Sequence, residues 1–105
     1  MNEVPRYGLL ESDINQVVDT LQKNRNITKI VLFGSRAKGT YHVGSDVDLA
    51  LFGDQLRLND LLDLSIEIEK LNLPFRFDLI IYERIKENSL LDHIKRVGVN
   101  LFERE

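Results

Sequence analysis

The 105-residue chain is 43% hydrophobic and 30% charged, with a formal net charge of -3, the make-up of one ordinary globular domain with a modest core. The acidic balance gives no electrostatic reason for binding nucleic acid directly, and with no cysteine there are no disulfides or thiolate metal sites, which fits a reducing, cytoplasmic setting. Met1 to Pro5 includes Glu3 with no apolar run behind it, so no signal peptide is expected, and nothing approaches the roughly 20 apolar residues of a membrane span.

The first ten residues show no period, and Pro5 and Gly8 predict an irregular lead-in. Ser12 is the expected N-cap of a helix over about 13–24, with Asp13 in its first turn and Ile14, Val17, Val18 and Leu21 at helical spacing. Asn24 and Asn26 end it. Thr28 to Phe33 is β-branched, apolar and bounded by Gly34, and reads as a mostly buried strand. Residues 35–39 predict a short helix closed by Gly39, and Thr40 to Ser45 a loop in which Gly44 offers an unusual backbone angle. Val47 to Phe52 is a second strand, stopped by Gly53.

Asn59 is the expected N-cap of a helix over about 60–71, closed before Pro74. Its apolar residues, Leu61, Leu62, Leu64, Ile66, Ile68 and Leu71, spread over more than half of the helical wheel. A stripe of roughly 100° would serve a single core, so the excess is available to a partner. Phe75 to Ile81 is a third strand, with Phe75, Phe77, Leu79 and Ile81 on one face and Arg76, Asp78 and Ile80 on the other. The helix between makes strands two and three parallel, joined by a right-handed crossover; the shorter excursion before strand two permits antiparallel pairing with strand one. A last helix over about 86–97 carries Leu90, Leu91, Ile94 and Val97, with Gly98 as its stop, and Val99 to Glu105 either adds an edge strand or frays.

The chemistry concentrates in residues 34–48. The Gly34-Ser35 turn leads from a strand into a helix, where free main-chain N–H groups and the helix dipole favour a phosphate. Arg36 and Lys38 add positive charge. Alone, such a turn is more often a helix cap. Ten residues later, Asp46 and Asp48 project on the same side of a strand, where two carboxylates can converge on a hard cation such as Mg²⁺ and leave room for phosphate oxygens. The bland alternative is a solvated strand end, but both features at this spacing arise by chance in roughly one such chain in a thousand. Asp78 sits mid-strand between apolar neighbours, as an ion-pair partner of Arg76 or as a third metal ligand and base.

Gly34-Ser35, ten residues, then Asp46-Val47-Asp48 resembles the signature of the DNA polymerase beta-like nucleotidyltransferase superfamily. The fuller Gly34-Ser35-Arg36-Ala37-Lys38-Gly39 and Gly44-Ser45-Asp46-Val47-Asp48-Leu49-Ala50 resemble its minimal nucleotidyltransferase (MNT) branch. The resemblance implies one α/β (α+β) nucleotidyltransferase domain over 1–105, a small mixed sheet with helices packed on one face. It implies two Mg²⁺ ions held by Asp46, Asp48 and Asp78, a triphosphate bound by Gly34 and Ser35 with help from Arg36 and Lys38, and Asp78 assisting deprotonation of the acceptor. Minimal members typically pair with a helical HEPN-type protein as the antitoxin of a toxin–antitoxin pair, and can transfer AMP from ATP to a tyrosine of that partner. A non-catalytic antitoxin and, through a pocket built by homo-oligomerisation, transfer to a small molecule such as an aminoglycoside are the competing readings.

Other polar residues carry blander expectations. His42 is a solvated loop residue, His93 a surface residue of the last helix, and Tyr41 and Tyr82 packing residues.

Overall fold

The computed structural model describes residues 6–104; Pro5, the residues before it and Glu105 lie outside the described part. Helix α1 (Glu11–Leu21) is followed by β1 (Lys29–Phe33), α2 (Gly34–Lys38), β2 (Val47–Phe52), α3 (Leu58–Glu69), β3 (Phe77–Ile81), α4 (Asn88–Val97) and β4 (Val99–Glu103). The strands form one sheet in the order β3-β2-β1-β4. Both pairs involving β1 are antiparallel, and β2 pairs parallel with β3 across the α3 connection. The C-terminal segment forms the edge strand β4 rather than fraying, because Arg104 anchors it: its guanidinium donates to the carbonyls of Ile27 and Gln22 at 3.1 and 2.9 Å.

Both faces of the sheet are covered. Ile30, Leu32, Leu49 and Leu51 are fully buried under Val17 and Leu21 of α1 and Leu64 and Ile68 of α3. On the opposite face Val31, Phe33 and Ala50 meet Ile94 of α4. Helices on one face therefore describes α1 and α3, while α4 takes the other side. The reason is the short α4–β4 connection at Gly98, where a Cβ would collide with the Ile94 carbonyl and press on the Val31 side chain. Gly98 stops α4 with an ordinary φ of -58°, so it is there for close approach and not for a left-handed turn.

Helix ends shift from their expected places. Leu10, not Ser12, is the N-cap of α1, since the Ile14 amide already donates to the Leu10 carbonyl at 3.1 Å. Arg57, not Asn59, precedes α3, and its amide donates to the Asp60 carboxylate at 2.9 Å. Gly44 keeps an ordinary backbone, whereas Gly34 and Gly39 take φ of 77° and 92°. β3 begins two residues later than Phe75 because its partner β2 begins at Val47, opposite Phe77. Among the described residues no helix is long and apolar enough to cross a membrane.

Candidate active site

Strand register places the carboxylates. Asp48 stands directly opposite Asp78 in the parallel β2–β3 pair and opposite Phe33 in the antiparallel β1–β2 pair. Neighbouring strands run about 4.8 Å apart, and side-chain alternation puts Asp48 and Asp78 on the α4 face with Ala50 and Ile80. Asp46 ends the loop that feeds β2. Burial of the half-buried Asp48, then the charges of Asp78 and Asp46, push its pKa up from 3.8 to about 6. Asp78 makes no ion pair among the described residues; the pairs present are Arg6–Glu11, Glu67–Lys70 and Asp92–Arg96. Among those residues, too, no three His, Cys, Asp or Glu side chains close on a common point as a ready metal cage.

Gly34 fits this cluster as only glycine can. Its φ is 77°, and a Cβ there would overlap the Asp48 carboxylate, so the turn lies directly against the acid. Glycine carries no steric penalty at such an angle. Ser35 is half-buried at the start of α2, and its carbonyl accepts the amides of Gly39 and Thr40 at 2.9 and 3.0 Å, closing the helix. Lys38 is exposed at the far end of α2.

Arg36 is placed otherwise than a phosphate ligand requires. Its side chain is only 2% exposed. Nε and Nη2 donate to the Ser45 carbonyl at 3.2 and 2.9 Å, and Nη1 donates to the Tyr7 carbonyl at 3.1 Å. The guanidinium also lies over the rings of Tyr41 and Phe75, 5.3 and 5.1 Å from their centroids. It therefore braces the loop that delivers Asp46 instead of facing the carboxylates.

His93 is the residue that sequence reasoning missed. It is half-buried, and its Nε2 accepts the Gly34 amide at 3.0 Å. One signal pointed there: Leu90, His93, Ile94 and Val97 are spaced as one helical stripe, so His93 belongs to the packed face of α4. His42 is exposed in its loop, and Tyr82 stacks on Phe52 with ring centroids 4.0 Å apart.

The family model described as "Polymerase beta, Nucleotidyltransferase" matches residues 15–105. The chain belongs to this family. Solved nucleotidyltransferase-like folds agree. A toxin–antitoxin structure with AMP-PNP superposes with a TM-score of 0.72 at 23% identity, covering 88% of this chain and 74% of that one. A tri-AMPylated Shewanella oneidensis HEPN toxin in complex with MNT antitoxin gives 0.68 at 19% identity, over 89% and 71% of the two chains. A nucleotidyltransferase fold from Sulfolobus solfataricus gives 0.53 at 19% identity, over 99% and 93%. At these identities the likeness is one of fold. No curated protein matches the chain.

A nucleotidyltransferase of this family implies a divalent metal, and the donor set suits one. Mg²⁺ prefers one or two carboxylates plus phosphate and water oxygens to an all-protein cage. Asp46, Asp48 and Asp78 offer hard oxygen ligands; burial first, and the charges of Asp78 and Asp46 second, raise the pKa of Asp48, and a cation would relieve that repulsion.

Proposed function

We propose that this chain is a Mg²⁺-dependent nucleotidyltransferase that transfers AMP from ATP to a hydroxyl acceptor, a tyrosine of a HEPN-type helical partner, and so acts as the antitoxin of a toxin–antitoxin pair. The observation that carries the reading is the Asp48–Asp78 register, with Asp46 close enough to help raise the Asp48 pKa and Gly34 pressed against the same carboxylate. Asp46, Asp48 and Asp78 would hold the metal, which when bound supplies neutralisation of phosphate charge and alignment of the entering and leaving oxygens. Gly34 and Ser35 lie where the triphosphate approaches, the Ser35 hydroxyl as a donor. Lys38 is exposed and free to follow a phosphate tail, while Arg36 acts by holding the Asp46 loop. The acceptor hydroxyl attacks the α-phosphorus, a new P–O bond forms, the bond to pyrophosphate breaks, and the acceptor proton passes to a carboxylate. Asp78, exposed on the edge strand β3, is the best placed to receive it.

The partner assignment draws on the folds above and on α3. Leu58, Leu62 and Ile66 lie four residues apart along one ridge of that helix and are 59%, 56% and 53% exposed. Three half-exposed apolar side chains in a row support a partner-binding role for this helix.

The test is to incubate the chain with ATP labelled at the α-phosphate and the helical protein encoded beside it. Label is expected on a partner tyrosine, and none with Asp46→Asn. Equal labelling by the variant would reject the mechanism. A non-catalytic antitoxin is the second reading, favoured by the exposed ridge of α3; toxin neutralisation that survives loss of both Asp46 and Asp48 would establish it instead.

A further inference from the structure

We infer that His93 is a positioning residue for the Gly34 turn, holding it against Asp48 through a neutral imidazole whose Nε2 is the hydrogen-bond acceptor. This rests on the nucleotidyltransferase reading above. The Gly34 amide is the first of α2, and helix-initial amides have no partner within their own helix. Here it donates to His93 Nε2 at 3.0 Å, so it is withdrawn from the donors open to a phosphate.

The contact matters because of which residue it holds. Glycine enters several backbone regions with little preference, so the φ of 77° at Gly34 is not enforced by its own sterics. The turn needs an outside restraint to stay in the one conformation that lays its Cα on the Asp48 carboxylate. His93 supplies it from a rigid base. Its ring meets Phe33 edge-on, with centroids 6.3 Å apart, and the next residue, Ile94, is buried between α4 and the sheet. One helix on the α4 face thereby fixes the main chain beside the carboxylates without touching a reacting atom.

An Nε2 that accepts must carry no proton, so a neutral His93 bears its proton on Nδ1. That is a yes-or-no observable independent of turnover. The chain has 2 histidines, so His42→Gln leaves one imidazole to be read by ¹⁵N NMR. An Nδ1–H tautomer at neutral pH is expected, with a Gly34 amide proton that shifts on His93→Leu. A protonated Nε2 would overturn the inference outright.

Function separates positioning from mere attachment. His93→Leu keeps the bulk and removes the acceptor. It should weaken MgATP binding, measured calorimetrically, roughly three- to tenfold, the scale of one neutral hydrogen bond. His93→Gln, whose side-chain oxygen reaches a similar point, should restore most of it. If His93 only ties α4 to α2, the leucine variant will melt earlier yet bind MgATP as tightly as the parent, and the positioning role falls. A parent protein that binds no MgATP would overturn the nucleotidyltransferase reading and this role with it, whatever the tautomer.

Discussion

Asp48 shows how one residue trades stability for a site. Its carboxyl, raised from 3.8 to about 6 by burial and by Asp78 and Asp46, holds its proton more tightly folded than unfolded. Between those two values the folded chain binds more protons, so stability falls as pH rises through the window and stays low above it. Asp48→Asn removes the charge and keeps the shape. The variant should match the parent below pH ~4 and then melt higher as the pH passes ~6. The full shift would be worth about 1.4 kcal/mol per unit, but solvent reaches the half-buried group and screens it. A gain of about 1 kcal/mol at pH 8, or roughly 4–8 °C in Tm, is the expected result of paired melts in EDTA. A variant that melts lower at pH 8 would show that the cluster is not repulsive. Added Mg²⁺ should raise the Tm of the parent at pH 8 more than that of Asp48→Asn, which keeps Asp46 and Asp78 but has lost the third carboxylate for a cation to stabilise.

At the scale of elements, α3 faces two ways. Leu64 and Ile68 are buried, whereas Leu58, Leu62 and Ile66 stand out in solvent. A charge at Leu62 should therefore leave folding alone and spoil association. Leu62→Glu is expected to melt within about 0.5 kcal/mol of the parent, as exposed substitutions do, and to bind the proposed helical partner at least ~30-fold more weakly, the scale of a hot-spot loss. Titration of the variant against the partner decides it: unchanged affinity would put the interface elsewhere. The double character of this helix was legible from its wheel alone, because leucine and isoleucine filled more arc than one core can use. For β2 and β3, period-2 alternation and a helical crossover put Asp78 on the face of Asp48 on condition that the two strands are neighbours; the register that sets the two side by side belongs to the folded sheet. Helix ends were less legible. Leu10 and Arg57 stand at N-caps without a cap bond from their own side chains, the Arg57 amide being held by Asp60 instead, while Ser12 and Asn59, the residues with capping chemistry, lie within the first turns. His93 and Gly34 meet across 59 residues through one main-chain amide, and main-chain partners leave no trace in residue identity.

Taken whole, the molecule places its acids at one end of the sheet and relies on Arg36 to hold the segments that converge there. Its guanidinium joins the Tyr7 carbonyl in the lead-in, the Ser45 carbonyl beside Asp46, and the ring of Phe75 ahead of β3. Gly8, with a φ of 75°, leaves the space that Arg36 and Tyr41 fill. Sequence reading put Arg36 among the phosphate ligands because a cation after a Gly-Ser turn suits an anion; its carbonyl partners lie 29 and 9 residues away and give no local cue. The two roles predict different losses. Arg36→Met breaks charge-assisted bonds and leaves two carbonyls short of donors, so it should cost about 2 kcal/mol or more, a fall in Tm of ~8 °C or more. Hydrogen exchange in residues 40–45 should quicken with it. Arg36→Lys offers a single ammonium where the fork reaches two carbonyls at once, and should recover only part of the loss. Were Arg36 a phosphate ligand, Arg36→Lys would instead melt like the parent and lose MgATP affinity. Melting curves and nucleotide titrations on the same two variants separate a brace from a ligand.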